Sequence, residues 1–190
     1  MGRMSSSCAF CSGTFSPDEL LSLDGASSPV CPACYELAEP STDAASLTVG
    51  PIQRADLELV LAWRNNPVIY EHFAEQDGPI QWADHVDWFE SRPPTRRDYV
   101  ASYDGRRIGV VAVDASDFVS IYIAELTLWG EGLATRLLDW LTTRFHSMRD
   151  LQAEIHANNE RSQRLFERCG FERTNREDDW YVYAYVGDSQ

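Results

Sequence analysis

Apolar residues recur along most of the chain at two spacings, every second position or every third and fourth position, and these predict strands and helices after residue 46. An Asp-Gly pair at 104 and 105 lies between two apolar runs and predicts a hairpin. Gly170 ends the last helical pattern as a residue that readily takes left-handed backbone. The predicted elements are, in chain order, strand 46–50, helices 55–65 and 81–91, strands 98–103, 107–114 and 118–126, helix 133–148, strand 151–157, helix 160–169 and strand 180–186.

Strands that suit antiparallel pairing come first in this series, and alternating strands and helices follow. This order predicts an α+β fold in which one mixed sheet carries helices on its faces. The stretch 39–46 is small and polar, which is typical of a linker. The predicted organisation is a cysteine-containing module at 1–38, the linker at 39–46 and a main domain at 47–190.

Charge and hydropathy narrow the partners that the chain can have. Its 190 residues include 30 acidic and 16 basic side chains, which give a formal net charge of −14. Such a chain is a poor match for nucleic acid and attracts cationic or amine substrates. No window reaches the ~20 apolar residues that a membrane-spanning helix needs, and no secretory signal is visible. We therefore expect a cytoplasmic protein with no membrane or nucleic-acid partner.

Two CxxC pairs stand near the N-terminus, Cys8 with Cys11 and Cys31 with Cys34, and 19 residues separate them. This spacing is typical of structural zinc sites, in which four thiolates surround one Zn²⁺ ion. A module this short has almost no core, so the metal would supply its folding free energy. The pattern predicts a zinc ribbon or knuckle that mediates homodimerisation, binds a protein partner or covers the main domain. Cys169 has no such partner and is expected to be buried.

The run 121–135 combines a strand, a turn with two glycines and the start of a helix. Gly130 and Gly132 let the backbone approach a ligand closely, and the first N–H groups of the following helix lack partners inside it. Such a helix start is a natural site for an anion, above all a diphosphate. About one helix and one strand later, a second group of spaced residues follows, namely Asn159, Ser162, Leu165, Phe166, Gly170 and Phe171.

These two segments, in this order, resemble those of the GNAT acetyltransferases. The run 129–134 is similar to the phosphate motif of that family, [QR]-x-x-G-x-[GA], and the second segment to its N-x-x-[AS]-x-x-L-[YF]-x-x-x-G-F motif. The resemblance covers 47–186 and implies the GNAT acyl-CoA N-acyltransferase fold with acetyl-CoA as co-substrate. The run 62–65 and the later His85-x-x-Trp88-Phe89 resemble the flagellar aminosugar N-acetyltransferases, with the ribosomal-protein alanine acetyltransferases as the competing subfamily.

The resemblance also implies how the co-substrate is held, with the strand before the glycine turn pairing with the pantetheine arm and the turn holding the diphosphate. Three positions depart from the family. Trp129 stands where Gln or Arg is common, Phe166 where a Tyr often protonates the leaving thiolate, and Ser120 where many members have Glu. The predicted cofactor-binding residues are Tyr122, Ile123, Ala124, Trp129, Gly130, Glu131, Gly132, Leu133, Ala134, Thr135, Asn159 and Phe166.

Three side chains are candidate catalytic groups, because an amine must lose a proton before it attacks a thioester. Glu154 and His156 lie two positions apart on a predicted strand and therefore share one face. Glu154 also matches the strand glutamate of the alanine acetyltransferases. His85 is a candidate for substrate contact through its resemblance to the aminosugar enzymes.

The predicted function is transfer of acetyl from acetyl-CoA to a primary amine of a small molecule. The preferred acceptor is an amino sugar or a nucleotide-linked amino sugar. A protein N-terminal acetyltransferase is the first alternative. A non-catalytic acyl-CoA-binding scaffold with a zinc interaction module is the second, and the departures at Phe166 and Ser120 keep it open.

Overall fold

The computed structural model of the chain describes residues 6–7, 14–15, 20, 47–71, 73 and 76–187. It divides into two compact units, Met1–Thr48 and Val49–Gln190. In the first unit, the short strands β1 (Ser6–Ser7) and β2 (Thr14–Phe15) pair in antiparallel orientation. The four CxxC cysteines of the predicted zinc module lie outside the described residues. Within the described ranges, no group of three or more His, Cys, Asp or Glu could hold a metal ion.

A four-stranded sheet is built from β3 (Leu47–Pro51), β4 (Arg97–Tyr103), β5 (Arg106–Val113) and β6 (Val119–Ile123), in that order. The strands β4, β5 and β6 are antiparallel. The predicted hairpin between β4 and β5 is confirmed, because Asp104 and Gly105 have φ angles of 49° and 74°. Positive φ at both central residues is what a type I′ turn requires.

Among the described residues, three α-helices lie between β3 and β4. They are α1 (Leu57–Arg64), α2 (Pro67–Tyr70) and α3 (Trp82–Ser91). The predicted helix 55–65 ends shortly before Pro67, and the structure shows that this proline opens the short helix α2. Proline suits the first helical position because the N–H that it lacks would have no partner there. The Asn66 side chain caps this helix by accepting a hydrogen bond from the Val68 N–H at 3.1 Å.

The rest of the chain folds as α4 (Leu133–Phe145), β7 (Gln152–His156), α5 (Glu160–Arg168), β8 (Phe171–Glu177) and β9 (Trp180–Tyr185). The three strands form a second antiparallel sheet in the order β7-β9-β8. Strand β8 was not predicted, because all of its residues after Phe171 are exposed and carry no apolar alternation. Cys169 is buried, as predicted, and Gly170 has a φ of 81° at the end of α5.

The two sheets differ from the single mixed sheet that the sequence predicts. Phe118 and Gln152 form one isolated parallel bridge where β6 and β7 begin. Across the described strands, β6 and β7 are not paired beyond this bridge. Strands that start side by side and then separate leave one edge of β6 without a neighbour. A cleft opens at that edge.

Two apolar layers hold the sheets and helices in place. One face of the four-stranded sheet packs under α1 and α3 through a cluster of Ile52, Leu57, Val60, Val100 and Val110. Helix α4 contacts β5 and β6, and its inward side is fully buried at Leu137, Leu138 and Leu141. Burying a leucine side chain stabilises a fold by about 1.5–3 kcal/mol relative to exposure. This packing fixes the start of α4, and with it the glycine turn, against the sheet.

No helix in the described part of the chain has the length and the apolar character that crossing a membrane would require.

Candidate active site

The cleft between β6 and β7 has a volume of about 460 Å³. Strand β6 and the glycine turn form one wall, and Glu154, Ile155 and the residues of α5 form the other. Four arginines and two acidic residues line it, although acidic side chains outnumber basic ones in the whole chain by 30 to 16. The cleft lining therefore carries an excess of positive charge, which suits an anionic ligand.

The glycine turn presents an open, left-handed backbone to this cleft. Gly130 has a φ of 95° and Gly132 a φ of 75°, and a Cβ atom at either position would have no heavy atom within 4 Å. Gly132 is the N-cap of α4, and no side chain caps the helix there. The first helical bond in this turn runs from the Arg136 N–H to the Gly132 carbonyl at 3.1 Å. The amides of 133–135 therefore have no partner inside the helix.

A phosphate fits this arrangement on physical grounds. The 13 residues of α4 carry a dipole whose positive end lies at Gly132. Open amides and a positive dipole end together form an anion-binding site. Space where a side chain would stand, at two left-handed glycines, lets the ligand come close to the backbone.

Two hydrogen bonds near the end of β6 show which of its edges faces outward. The Ala124 N–H donates to the Ile108 carbonyl at 2.7 Å, so this amide is turned toward β5. The Trp129 indole N–H donates to the Ile123 carbonyl at 2.8 Å. Because successive N–H groups on a strand face opposite edges, the amides of Ile121 and Ile123 face the open cleft. Among the residues 122–124 that were predicted to contact the pantetheine arm, Ile123 is the one whose backbone N–H faces the cleft.

The Tyr122 side chain lies on the face of the sheet that packs under α1. Its ring contacts Trp63 and Phe73 edge to face, at centroid distances of 6.4 Å and 5.7 Å. Its hydroxyl is buried and has no hydrogen-bond partner among the described residues. Burial is the largest cause that raises the pKa of Tyr122 far above its usual value of 10, so the phenol stays protonated.

The two candidate bases on β7 are placed differently. Glu154 is exposed and lines the cleft. This position suits a group that exchanges protons with a substrate or with water. His156 does not line the cleft. Its Nδ1 accepts a hydrogen bond from the Asn158 N–H at 3.2 Å, and its ring packs edge to face on Trp180 at 5.0 Å. The structure thus brings Glu154, and not His156, to the cleft wall.

His85 lies in α3 with 4% of its surface exposed, and it does not line the cleft. Its ring stacks on Trp88 at a centroid distance of 5.3 Å. Burial is the main cause that lowers the pKa of His85, and the charge of Arg64 lowers it further. Its Nε2 atom has no hydrogen-bond partner among the described residues. This is the environment of a neutral core histidine.

Helix α5 brings the second motif to the cleft. The Asn159 side chain accepts a hydrogen bond from the Ser162 N–H at 3.1 Å and so caps the helix. Phe166 is 3% exposed, lines the cleft and packs edge to face on Phe171 at 4.9 Å. The predicted cofactor-binding residues that line the cleft are Tyr122, Ile123, Trp129, Gly130, Gly132, Leu133, Ala134, Thr135, Asn159 and Phe166. Ala124 and Glu131 do not line it.

The sequence analysis did not single out Arg161, which is one of the four arginines that line the cleft. Arg161 lines the cleft, and its guanidinium lies over the Trp129 ring at 4.0 Å from the centroid. The sequence shows that Trp129 replaces a polar or charged residue in the first motif. It also shows an arginine two positions after Asn159, but it does not show that the two side chains meet.

Comparisons with known proteins agree with this geometry. Residues 46–172 match the model of the acetyltransferase (GNAT) domain family. The uncharacterized protein MJ1062 of Methanocaldococcus jannaschii is 33% identical over 161 residues, which are 77% of this chain and 32% of that protein. The putative phosphinothricin acetyltransferase YwnH of Bacillus subtilis is 28% identical over 137 residues, which are 66% of this chain and 83% of that protein.

A solved domain structure from Methanocaldococcus jannaschii has a TM-score of 0.68 and 30% identity, and the match covers 74% of this chain and 98% of that domain. The chain spans about a third of the length of MJ1062, so the match to that protein concerns one part of it. The GNAT model itself matches more than half of the 190 residues. The chain therefore belongs to the GNAT acetyltransferase family.

Proposed function

We propose that this chain is an acetyl-CoA-dependent N-acetyltransferase that acts on a primary amine of a small molecule. The observation that carries the proposal is the open glycine turn at the start of α4, directly beside the unpaired edge of β6. The amides of 133–135 would hold the diphosphate of acetyl-CoA, and the Ile121 and Ile123 amides would face its pantetheine arm. An extended arm beside a strand edge is held much as an added strand would be.

The first step is attack of a neutral amine on the thioester carbon. The ordinary pKa of an alkyl amine, about 10.4, keeps it protonated at neutral pH, so a base must take one proton. Glu154 is the acidic group of β7 at the cleft wall, and its exposure lets a water molecule relay the proton. As the nitrogen–carbon bond forms, negative charge develops on the carbonyl oxygen. The outward amides of β6 would donate to that oxygen.

The second step breaks the carbon–sulfur bond and releases CoA as a thiolate. Phe166 stands where many family members have a tyrosine, and a phenyl ring has no proton to give. A thiol has a pKa of about 8.5, so a thiolate leaves far more easily than an alkoxide and can take its proton from water. Catalysis here would rest mainly on holding the amine and the thioester in line, which can account for about 7–11 kcal/mol of the barrier.

An amino sugar or a nucleotide-linked amino sugar is our first candidate for the acceptor, on the resemblance of 62–65 and His85 to aminosugar enzymes. Burial of His85 outside the cleft removes it from direct contact with such a sugar in this structure. The name of the Bacillus subtilis relative supports a small amine more broadly. A protein N-terminus is the alternative acceptor. The scaffold alternative is disfavoured because Glu154 reaches the cleft.

The proposal is tested by the release of free CoA from acetyl-CoA in the presence of a panel of amines. The panel holds UDP-linked amino sugars, free amino sugars, aminoglycosides, amino-acid analogues and N-terminal peptides, and products are checked by mass spectrometry. Release with a small amine supports the proposal, and release with peptides alone moves the acceptor to protein N-termini. Tight binding of acetyl-CoA without release in any mixture would favour the scaffold.

We also propose that Cys8, Cys11, Cys31 and Cys34 hold one structural Zn²⁺ ion in an N-terminal module, which serves for homodimerisation or for a protein partner. The spacing of the two pairs is the support for it. A reducing, cytoplasmic location fits four thiols kept for metal. Metal analysis of the full chain is expected to give one zinc per chain, and replacing Cys31 and Cys34 with Ser should remove it. Full zinc content in that variant would exclude the four-cysteine site.

A further inference from the structure

Arg161 is held at the cleft by an aromatic ring, and no acidic side chain of the described part of the chain forms an ion pair with it. It lies in the first turn of α5, and its guanidinium carbon is 4.0 Å from the centroid of the Trp129 ring. This is well inside the ~6 Å range of a cation–π contact. The flat guanidinium suits such stacking better than a lysine ammonium would. The position of the charge is therefore set by the position of the ring.

The Trp129 ring is in turn fixed to the sheet. Its indole N–H donates to the Ile123 carbonyl at 2.8 Å, and its backbone N–H donates to the Leu126 carbonyl at 3.2 Å. Trp129 directly precedes Gly130, the first residue of the open turn. A guanidinium stacked on this ring consequently lies beside the backbone where the proposed diphosphate site begins.

The helix that carries Arg161 is anchored as well. The Gln163 side-chain amide donates to the carbonyls of His156 and Ala157, at 3.2 Å and 2.9 Å. These bonds tie the first turn of α5 to the end of β7. Both partners of the stacked pair thus stand on fixed parts of the structure, one on each side of the cleft.

The charge of Arg161 is not neutralised by an acidic side chain in the described ranges. Its neighbour Arg164 forms an ion pair with Glu160 at 3.0 Å, and Arg149 forms one with Asp117 at 2.8 Å. Arg161 has no such bridge there, and partial burial lowers its pKa from the usual value. Arg161 is exposed at the cleft, and with no acidic partner in these ranges its guanidinium is available to pair with a ligand anion.

We propose that Arg161, stacked on Trp129, binds a phosphate group at the nucleotide end of acetyl-CoA and supplies the positive charge that the first motif lacks at Trp129. This inference rests on the proposed use of acetyl-CoA. The family motif has a polar or charged side chain at position 129, and here the charge comes across the cleft from α5. The ligand chemistry is a phosphate dianion or diphosphate, and the two can be told apart experimentally.

The test is the dissociation constant of acetyl-CoA, measured by titration calorimetry with the full chain and its Arg161→Gln variant. Hydrogen bonds to charged groups are worth about 1.5–3 kcal/mol, so the variant should bind about 10-fold to 150-fold more weakly. Arg161→Lys keeps the charge without the flat stacking and should fall between the two. Arg164→Gln is the matched control, because it lies on the same helix, is bonded to Glu160 and does not line the cleft.

Ionic strength separates a phosphate contact from a general packing effect. The Debye length falls from about 30 Å at 0.01 M to about 3 Å at 1 M, so the advantage of the wild type over Arg161→Gln should shrink as salt rises. Repeating the titration with 3′-dephospho-acetyl-CoA assigns the phosphate. A lost difference between wild type and variant identifies the 3′-phosphate, and a retained one identifies the diphosphate.

The outcomes are distinguishable from those of the proposed function. If the wild type binds acetyl-CoA and Arg161→Gln binds it equally well, the role of Arg161 is overturned while the function stands. A variant that binds more weakly by the same factor at every salt concentration also overturns it. If the wild type binds no acetyl-CoA, the proposed function fails and this inference fails with it.

Discussion

Gly132 gives the sharpest test of the phosphate site, because a charged and an uncharged side chain of the same shape can be compared there. Its φ of 75° is left-handed, and a Cβ atom would have open space around it. Asn and Asp are the non-glycine residues that tolerate this backbone best, where others cost roughly 1–2 kcal/mol. We expect Gly132→Asn and Gly132→Asp to fold with free energies of unfolding within about 1 kcal/mol of wild type.

The two variants should differ in acetyl-CoA affinity because of charge alone. Two unit charges 4 Å apart interact by about 1 kcal/mol in bulk water and by about 4 kcal/mol at an effective dielectric of 20. A carboxylate beside the diphosphate should therefore weaken binding by roughly 5-fold to 1000-fold relative to the amide. The Asn variant reports the steric cost, and the ratio of the two constants reports the electrostatic one.

The assay is titration calorimetry with acetyl-CoA, accompanied by thermal unfolding of each variant. Raising the salt concentration should bring the Asp variant closer to the Asn variant, since screening weakens repulsion at an exposed site. Equal dissociation constants for the two variants, at low salt and with matched stability, would refute the placement of the diphosphate at this turn.

Three further perturbations test other parts of the account. Glu154→Gln should slow turnover more at low pH than at high pH, because the amine deprotonates unaided as pH rises; a constant ratio of kcat/KM across pH would exclude Glu154 as the base. His85→Leu should reduce the loss of stability that wild type shows below pH ~6.5. Burial lowers the pKa of His85 in the folded state, so protons bind the unfolded state first and favour unfolding as pH falls. Identical curves of unfolding free energy against pH for the two proteins would contradict this. Gly170→Ala should destabilise the fold by about 1–3 kcal/mol or more, because the φ of Gly170 is 81° and a Cβ there would lie 2.6 Å from the Gly187 carbonyl oxygen. Gly50→Ala is the control, because a Cβ at Gly50 meets no atom within 4 Å.

Much of the fold could be predicted because its strongest signals are local. The Asp104-Gly105 turn follows from two residues that accept positive φ, and the end of α5 follows from Gly170 in the same way. Strand β8 carried no such signal. After Phe171 its residues are exposed, and its hairpin with β9 turns through Asp178 and Asp179, a pair that lacks the glycine of a strong turn signal.

The separation of β6 and β7 could not be predicted from the pattern of residues either. Alternating strands and helices predict parallel neighbours, and the isolated bridge between Phe118 and Gln152 satisfies that prediction at one point. How far two strands stay paired depends on the packing of α4 and α5 around them, which no short motif records. The cleft exists because of this tertiary effect.

The candidate site was predicted where a motif fixes backbone and missed where two distant side chains meet. The glycine turn is set by residues adjacent in sequence, and it lines the cleft. Arg161 and Trp129 lie 32 positions apart, and their stacking depends on the placement of α5 across from the turn. His85 was singled out by a family resemblance and His156 by its place two positions after Glu154, and the structure places both outside the cleft lining.

The central claim is that acetyl-CoA binds between β6, the glycine turn and the start of α5. Hydrogen–deuterium exchange of the full chain, with and without saturating acetyl-CoA, tests it most directly. We predict slower exchange in peptides that cover 119–135 and 159–166, with β8 and β9 unchanged. Protection confined to other segments, or no protection at saturating ligand, would contradict the account.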